Sequence, residues 1–480
     1  MDKMKKVKFY IFTALSALMI VSCSDFGDMN DDPNSATSVP ASTLLTTAQY
    51  RFYDRLNGTS LNADFGLLMV QQWAQNEYTE DSRYNYDVTS FNGTWGFLYT
   101  DVLKELQAAS DLVAALDIDE GIKANQQYII DIMEAQVFGV LTDGFGDVPY
   151  SEALSDVSLP KYDSQQEIYI GILETLDAAA TGLNTSKASF SSGEVLFGGN
   201  VSAWKKFANS LMLRYASRLL DVDSTIASSY INKAISGGLM TSNMDNADFN
   251  YPNVDARANP LYRNYSPQIS NRDDYCISEL LVEELKDLGD PRLDMFAKLA
   301  SGGDYVGMPY GLSDNDATAL KPTTSRPNDA VREATTPFHV LVYAEVEFLL
   351  AEIYERNIGI SGDSEAAYNN AVTASMEQWG ITDSAAISAY LAANSYDAAN
   401  WDESIGNQKW IALYMNGFEA WNEWRRLDQP VLTPTSEGVI SSIPVKLPYP
   451  LSETQTNSAN LDLVTSDPGN LTTKMWWDIN

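Results

Sequence analysis

Apolar residues recur at a three-and-four spacing through most of the chain, the pattern of helices with one buried face. Val102, Leu106, Ala109, Leu112, Val113 and Leu116 make one stripe, and Ile129, Ile130, Met133, Val137 and Leu141 make another within residues 126–141. The second should stop at Asp143-Gly144-Phe145-Gly146-Asp147-Val148-Pro149, where two glycines and a proline break a helix. Residues 168–183 and 204–220 follow, the latter with Trp204, Phe207, Ala208, Leu211, Tyr215 and Leu219 in register. The same spacing predicts helices over 277–288, 340–356, 364–378 and 408–426. Residues 340–380 read as helix, short turn, helix, with the size and small-to-large alternation of a tetratricopeptide unit. Residues 101–142 have a similar layout. No strict repeat period is present, so this is helix pairing and not a solenoid.

Residues 243–275 and 301–337 break the pattern, being rich in Asn, Asp, Pro, Gly and Tyr. Loops this long in a compact domain are often functional. Pro430, Pro434, Pro444, Pro448 and Pro450 predict an extended tail. The fold class is therefore all-α: tetratricopeptide-like helix pairs with long irregular loops packed against them. No shift of composition divides residues 46–480, which read as one domain.

The amino end has a different logic. Lys3, Lys5, Lys6 and Lys8 precede an apolar run over residues 9–21, interrupted by Thr13 and Ser16. That run is short of the ~20 residues needed to cross a bilayer, and residues 1–22 read as a secretory signal peptide. Ile20-Val21-Ser22-Cys23 resembles the bacterial lipobox, where cleavage before Cys23 frees a thiol and an amine for acylation. Three buried acyl chains at ~0.8 kcal/mol per CH₂ make a lasting anchor. Residues 23–45 then form a lipidated tether whose first part, through Asp31-Asp32, is acidic and has little to bury.

The only other cysteine, Cys276, has no partner if Cys23 is acylated, so the fold cannot rest on disulfides. The formal net charge is −34, and removing residues 1–22, with four Lys and one Asp, takes it to −37. Such a surface repels phosphate backbones, so nucleic acid is not expected as a partner. His339 is the only histidine and sits at a helix entrance, a place for a structural histidine more than a catalytic one. No Cys/His zinc set and no phosphate-cradling glycine loop is present. No catalytic residue and no cofactor is assigned. Paired carboxylates are the one catalytic chemistry left, but 65 Asp and Glu make such pairs arise by chance. Calcium is the cation these carboxylates and Asn carbonyls would suit, yet Asp28–Asn34 and 314–316 lack the twelve-residue loop spacing.

Ligand capture needs aromatic faces beside polar groups, as for sugars, whose C–H faces stack on rings while amides and charges meet the hydroxyls. Two segments supply both. The first holds Trp73, Tyr78, Arg83, Tyr84, Tyr86 and Trp95; the second holds Tyr262, Asn264, Tyr265, Arg272 and Asp274. Trp204, Trp379, Trp410, Trp421 and Trp424 lie on helical stripes and are assigned to packing. Leu67, Leu68 and Val70 precede Trp73, so a core position suits it equally well. On this reading Trp95→Ala and Tyr84→Ala should weaken binding and leave stability largely intact.

A series of short motifs, in order, resembles the SusD/RagB family of Bacteroidetes outer-membrane lipoproteins, in its SusD-like branch. They are the lipobox with Asn30-Asp31-Asp32-Pro33-Asn34, Gly146-Asp147-Val148-Pro149-Tyr150, and Trp204-Lys205-Lys206-Phe207-Ala208-Asn209-Ser210-Leu211. Asp290-Pro291-Arg292-Leu293, Gly307-Met308-Pro309-Tyr310-Gly311 and Ala344-Glu345-Val346-Glu347-Phe348-Leu349-Leu350-Ala351-Glu352 continue the series. Gln408-Lys409-Trp410-Ile411-Ala412-Leu413, Pro448-Tyr449-Pro450 and Trp476-Trp477-Asp478 close it. Most look structural: Asn209 and Arg214 can tie loop carbonyls to the core, and Glu347 and Glu352 can pair with Arg425 or Arg426. The resemblance implies four tetratricopeptide-like helix pairs and a lipid anchor at the cell surface. It implies a TonB-dependent, SusC-like barrel as partner, over which the lipoprotein closes as a lid, and oligosaccharide capture without turnover. Peptide or other nutrient capture on the same scaffold, and a surface-anchored glycosidase, are the alternatives. The family's ligand site lies in loops outside the helix pairs, which suits residues 73–95 and 262–275.

Overall fold

In the computed structural model, which describes residues 39–479, many of the long helices begin at side-chain caps and several end at glycines. The major helices are α1 (Ala41–Leu56), α2 (Lys104–Ala114), α3 (Glu120–Phe145), α4 (Gln165–Gly182), α5 (Val201–Arg218), α6 (Ser224–Gly237), α7 (Glu279–Asp287), α8 (Tyr343–Arg356), α9 (Ser364–Gln378), α10 (Trp401–Ala412) and α11 (Gly417–Leu427). Asp119 caps α3 by accepting from the N–H groups of Gly121 and Ile122, and Ser164 with Glu167 forms a capping box on α4. The helix α3 stops at Gly146, whose φ of 91° a side chain would disfavour. Its second half, residues 135–145, is buried on every side, so α3 runs through the centre of the fold.

The helices pack as couples: α1 on α2, α3 on α4, α5 on α6 and α8 on α9. These are the tetratricopeptide-like pairs expected of an all-α fold. The segments read as signal peptide and lipobox, Cys23 included, lie outside the described residues. The tether reading extends too far: helix α1 starts at Ala41, and Ala41 and Leu45 are already buried. Among the described residues no helix is long and apolar enough to cross a membrane.

Three predicted helices change, two through strand pairing with distant residues and one through a local turn. Residues 338–341 form strand β4 (Phe338–Leu341), paired with β2 (Ala247–Phe249), so α8 starts only at Tyr343. The β-branched and aromatic residues there favour a ladder once a partner is at hand. Residues 275–277 form strand β3 (Tyr275–Ile277), and Ser278 then caps α7. The helix expected over 408–426 is two, because Met415 turns at a φ of 74° and Asn416 caps α11.

Charged side chains bind the couples together from inside. Arg214 on α5 meets Glu345 on α8 at 2.6 Å and donates to the Val340 carbonyl. Arg218 joins Asp143 of α3 to Glu419 of α11, each at 2.5 Å. Arg426 of α11 meets Glu352 of α8 at 2.5 Å and Glu423 at 2.8 Å, and Lys409 of α10 reaches Glu423 at 2.5 Å. The expected pairing of Glu352 with Arg426 is thus present. Glu347 instead accepts from Asn370, and Arg425 donates to the carbonyls of Asp143 and Val445. Asn209 holds the Gly238 carbonyl.

Candidate ligand-binding site

The two aromatic segments meet through a two-stranded antiparallel ribbon. Strand β1 (Trp73–Gln75) pairs with β3, placing Trp73 opposite Ile277 and Gln75 opposite Tyr275. From this ribbon the chain runs outward on one side to Tyr78–Tyr86 and on the other back through 266–274 to a short helix, Pro260–Tyr265.

Tyr78 is the aromatic that the ribbon leaves in solvent. It is 58% exposed and holds a φ of 54°. The Arg272 guanidinium sits 4.5 Å from its ring centroid, and Asp274 anchors Arg272 at 2.5 Å. An exposed ring braced by a cation on one face is a platform with its other face free to stack. Arg83 is half-buried and donates to the Thr79 carbonyl at 3.2 Å.

Beside this platform lies a cleft of about 410 Å³ between the end of α1, the turn after it and the short helix. Asp54, Arg55, Ser60, Phe97, Arg263 and Asn264 are among its lining residues. Arg263 meets Asp54 at 2.5 Å, and its Nε is buried without a hydrogen-bond partner. Arg55 lies 4.3 Å over the Phe97 ring. Ser270 lines the cleft and Arg272 braces Tyr78, so at ~3.5 Å per residue cleft and platform adjoin. A cleft of this size, with two guanidinium groups, an amide and ring edges, can seat a neutral ligand carrying many hydroxyls.

Carboxyl groups beneath the platform are perturbed. Burial, reinforced by the charge of Asp81, pushes the Asp64 carboxyl up to about 7, although Tyr275 donates to it. Burial likewise raises Asp81 to about 6 against a hydrogen bond from Gln75. Among the described residues no group of three or more His, Cys, Asp or Glu is placed to hold a metal ion.

Several residues read as ligand contacts are packing residues instead. Trp73 is fully buried, its indole N–H donating to the Tyr414 hydroxyl at 3.0 Å. Trp95 is 4% exposed among Tyr99, Phe145, Tyr162 and Tyr449. Tyr84 is 1% exposed, and its hydroxyl accepts from the Thr435 N–H. Tyr86 is half-buried and donates to the Asp64 carbonyl. Asp274 is buried and acts by holding Arg272. Tyr262 and Tyr265 are half-buried, the second under the Arg332 guanidinium at 3.7 Å. Of the candidates, Tyr78 and Arg272 stand exposed and Asn264 lines the cleft.

Sequence reasoning missed Asp54 and Arg55, which look like the solvated face of α1, and Phe97, which continues an aromatic stretch. Arg263 carried a signal, lying between Tyr262 and Asn264. His339 lies in β4, its Nδ1 2.7 Å from Asp248 Oδ1, as a structural histidine would.

Residues 33–450 match a protein family described as starch-binding and associating with the outer membrane, SusD-like. No curated protein matches the chain. Among solved structures it is similar to a chitin-binding protein, at 29% identity and a TM-score of 0.82, over 92% of this chain and 100% of that one. A SusD homologue from Bacteroides fragilis shares 25% identity at a TM-score of 0.75, over the same shares of the two chains. A Bacteroidetes SusD-like structure, 24% identical at a TM-score of 0.80, again covers 92% of this chain and 100% of its own and shows the same fold. The paired helices, the order of motifs and this match over most of the chain agree, and the chain belongs to the SusD-like family.

Proposed function

We propose that this protein captures oligosaccharides at the cell surface and releases them unchanged to a TonB-dependent, SusC-like barrel. An acyl anchor on Cys23 holds it at the outer membrane. The observation that carries the reading is the exposed Tyr78–Arg272 platform adjoining the 410 Å³ cleft. A sugar ring stacks on the free face of Tyr78, and Asn264, Arg55 and Arg263 meet its hydroxyls. The family's association with starch and the chitin-binding relative support a glycan as the cargo. Grip without turnover fits the site, where the cleft's one carboxylate, Asp54, is tied to Arg263.

The test is a glycan and peptide array probed with the wild type and with Tyr78→Ala. Binding to glycans that Tyr78→Ala abolishes supports the reading. Binding to peptides alone, or sugars released on incubation with mixed glycans, overturns it. Labelling with a radioactive fatty acid, lost in Cys23→Ser, tests the anchor.

A further inference from the structure

The cleft beside the Tyr78 platform is lined by three charged side chains, Asp54, Arg55 and Arg263, and only two of them cancel. Arg263 meets Asp54 at 2.5 Å. The Arg55 guanidinium lies over the Phe97 ring, and among the described residues it makes no ion pair and no hydrogen bond. Two carboxylates lie close enough for their charge to reach it, and both are taken: Asp54 by Arg263, and Asp101 by Arg51 at 3.4 Å. Burial therefore outweighs them and holds the Arg55 guanidinium below its ordinary range. Elsewhere the fold gives half-buried arginines a carboxylate, as with Arg326 and Asp273 at 2.8 Å. In a chain with 65 Asp and Glu against 31 Lys and Arg, a guanidinium left over at a cleft wall is the exception. Gly58, Thr59 and Ser60 line the same wall, where the helical segment Thr59–Leu67 begins without a side-chain cap and adds a field of the same sign.

We propose that the cleft selects an anionic sugar residue, a uronate or a sulfate ester, whose charged group pairs with Arg55. This rests on the cleft being where the glycan binds. A guanidinium presents a planar fork of donors, which a carboxylate or sulfate meets with two oxygens at once. A neutral sugar offers hydroxyls to Arg55 but leaves its charge without a counter-charge. Asn264, Ser60 and Ser270 remain for the hydroxyls of the acidic ring. The net charge of −34 does not forbid such a ligand, because exposed charges beyond ~8 Å are largely screened at physiological salt. Within the lining the balance is two guanidinium groups against one carboxylate.

The test is an array of neutral, uronate-bearing and sulfated oligosaccharides probed with the whole protein. Each acidic hit is then titrated by calorimetry beside its carboxyl-reduced or desulfated form, which keeps the ring and loses the charge. The wild type should prefer the charged form about tenfold or more, and added NaCl should erode that preference. Whether the uronate or the sulfate member shows it identifies the anionic group. Arg55→Gln should bring the two forms level, and Arg55→Lys, which keeps the charge and loses the fork, should restore part of the difference. Melting curves confirm that both variants fold. Equal affinity of the wild type for charged and uncharged forms would overturn the proposal without any variant, as would a preference that survives Arg55→Gln. Neutral glycans bound and then lost in Tyr78→Ala, with no acidic hit, would sink the acidic ligand and leave oligosaccharide capture standing. Binding to no glycan at all would remove the capture reading and this proposal with it.

Discussion

Replacing Arg426 by Met tests whether the buried charges hold the helix couples together. Arg426 and Glu352 are each 1% exposed, and Arg426 also carries Glu423. Burial opposes ionisation of Glu423, but Arg426 and Lys409 outweigh it and hold its carboxyl well below the usual range. Removing one member of a buried pair costs about 3–5 kcal/mol, because the remaining charge is stranded. Here the stranded groups keep partners, since Arg356 lies 3.2 Å from Glu352 and Lys409 2.5 Å from Glu423. The loss should therefore fall near the lower end, about 3 kcal/mol. At ~1 kcal/mol per degree for a chain of this length, the melting temperature should drop about 3 °C. Urea unfolding read by circular dichroism gives the free energy directly. The double variant Glu352→Gln/Arg426→Met should cost at least about 1 kcal/mol less than the two single losses together. A single variant within about 0.5 kcal/mol of wild type, or strictly additive losses, would refute the claim that this pair ties α8 to α11.

Gly417→Ala should be strongly destabilising and should cost glycan binding as well: its Cβ would lie 2.4 Å from the Leu67 N, at the end of the helical segment Thr59–Leu67 that starts at the cleft. Thermal melts and array binding read the two effects, and a stable variant that still binds would contradict it. Trp95→Ala should cost about 3–5 kcal/mol because it empties a packed aromatic site, whereas Tyr78→Ala should stay within about 0.5 kcal/mol and lose ligand. A Trp95→Ala protein as stable as wild type would show that site to be loosely packed. Asp64 has a folded-state pKa raised to about 7, so its contribution to stability is full below pH ~4 and is lost as the pH rises through 7. Asp64→Asn should raise the melting temperature at pH 8 and flatten the slope between pH 5 and 8, leaving the part due to Asp81 and Glu134; an unchanged slope would refute the assignment.

How much of this was legible depended on the range of the interaction. Helical stripes are local, and α3, α4, α5 and α9 lie where their apolar spacing puts them. Two of the three changes were decided from afar. Residues 338–341 became a strand only because β2, some ninety residues earlier in the chain, offers its edge, and nothing in Phe338-His339-Val340-Leu341 announces that partner. The site behaved the same way. The segments around Trp73 and Tyr275 meet in space, and their join is a ladder of long sequence separation. Within each segment an aromatic residue beside polar neighbours has the same appearance whether it stacks on a ligand or on its own core. What separates Tyr78 from Tyr84 is backbone direction and the position of one distant residue. Arg272 braces Tyr78 in solvent, while Gly438 brings the tail to 3.1 Å from the Tyr84 ring, measured from where a Cβ would stand, and seals it in. A substitution at Gly438 should therefore disturb the packing around Tyr84 and spare Tyr78. If Gly438→Val kept the wild-type melting temperature, the tail would not be what buries Tyr84, and that residue would return to the list of ligand contacts.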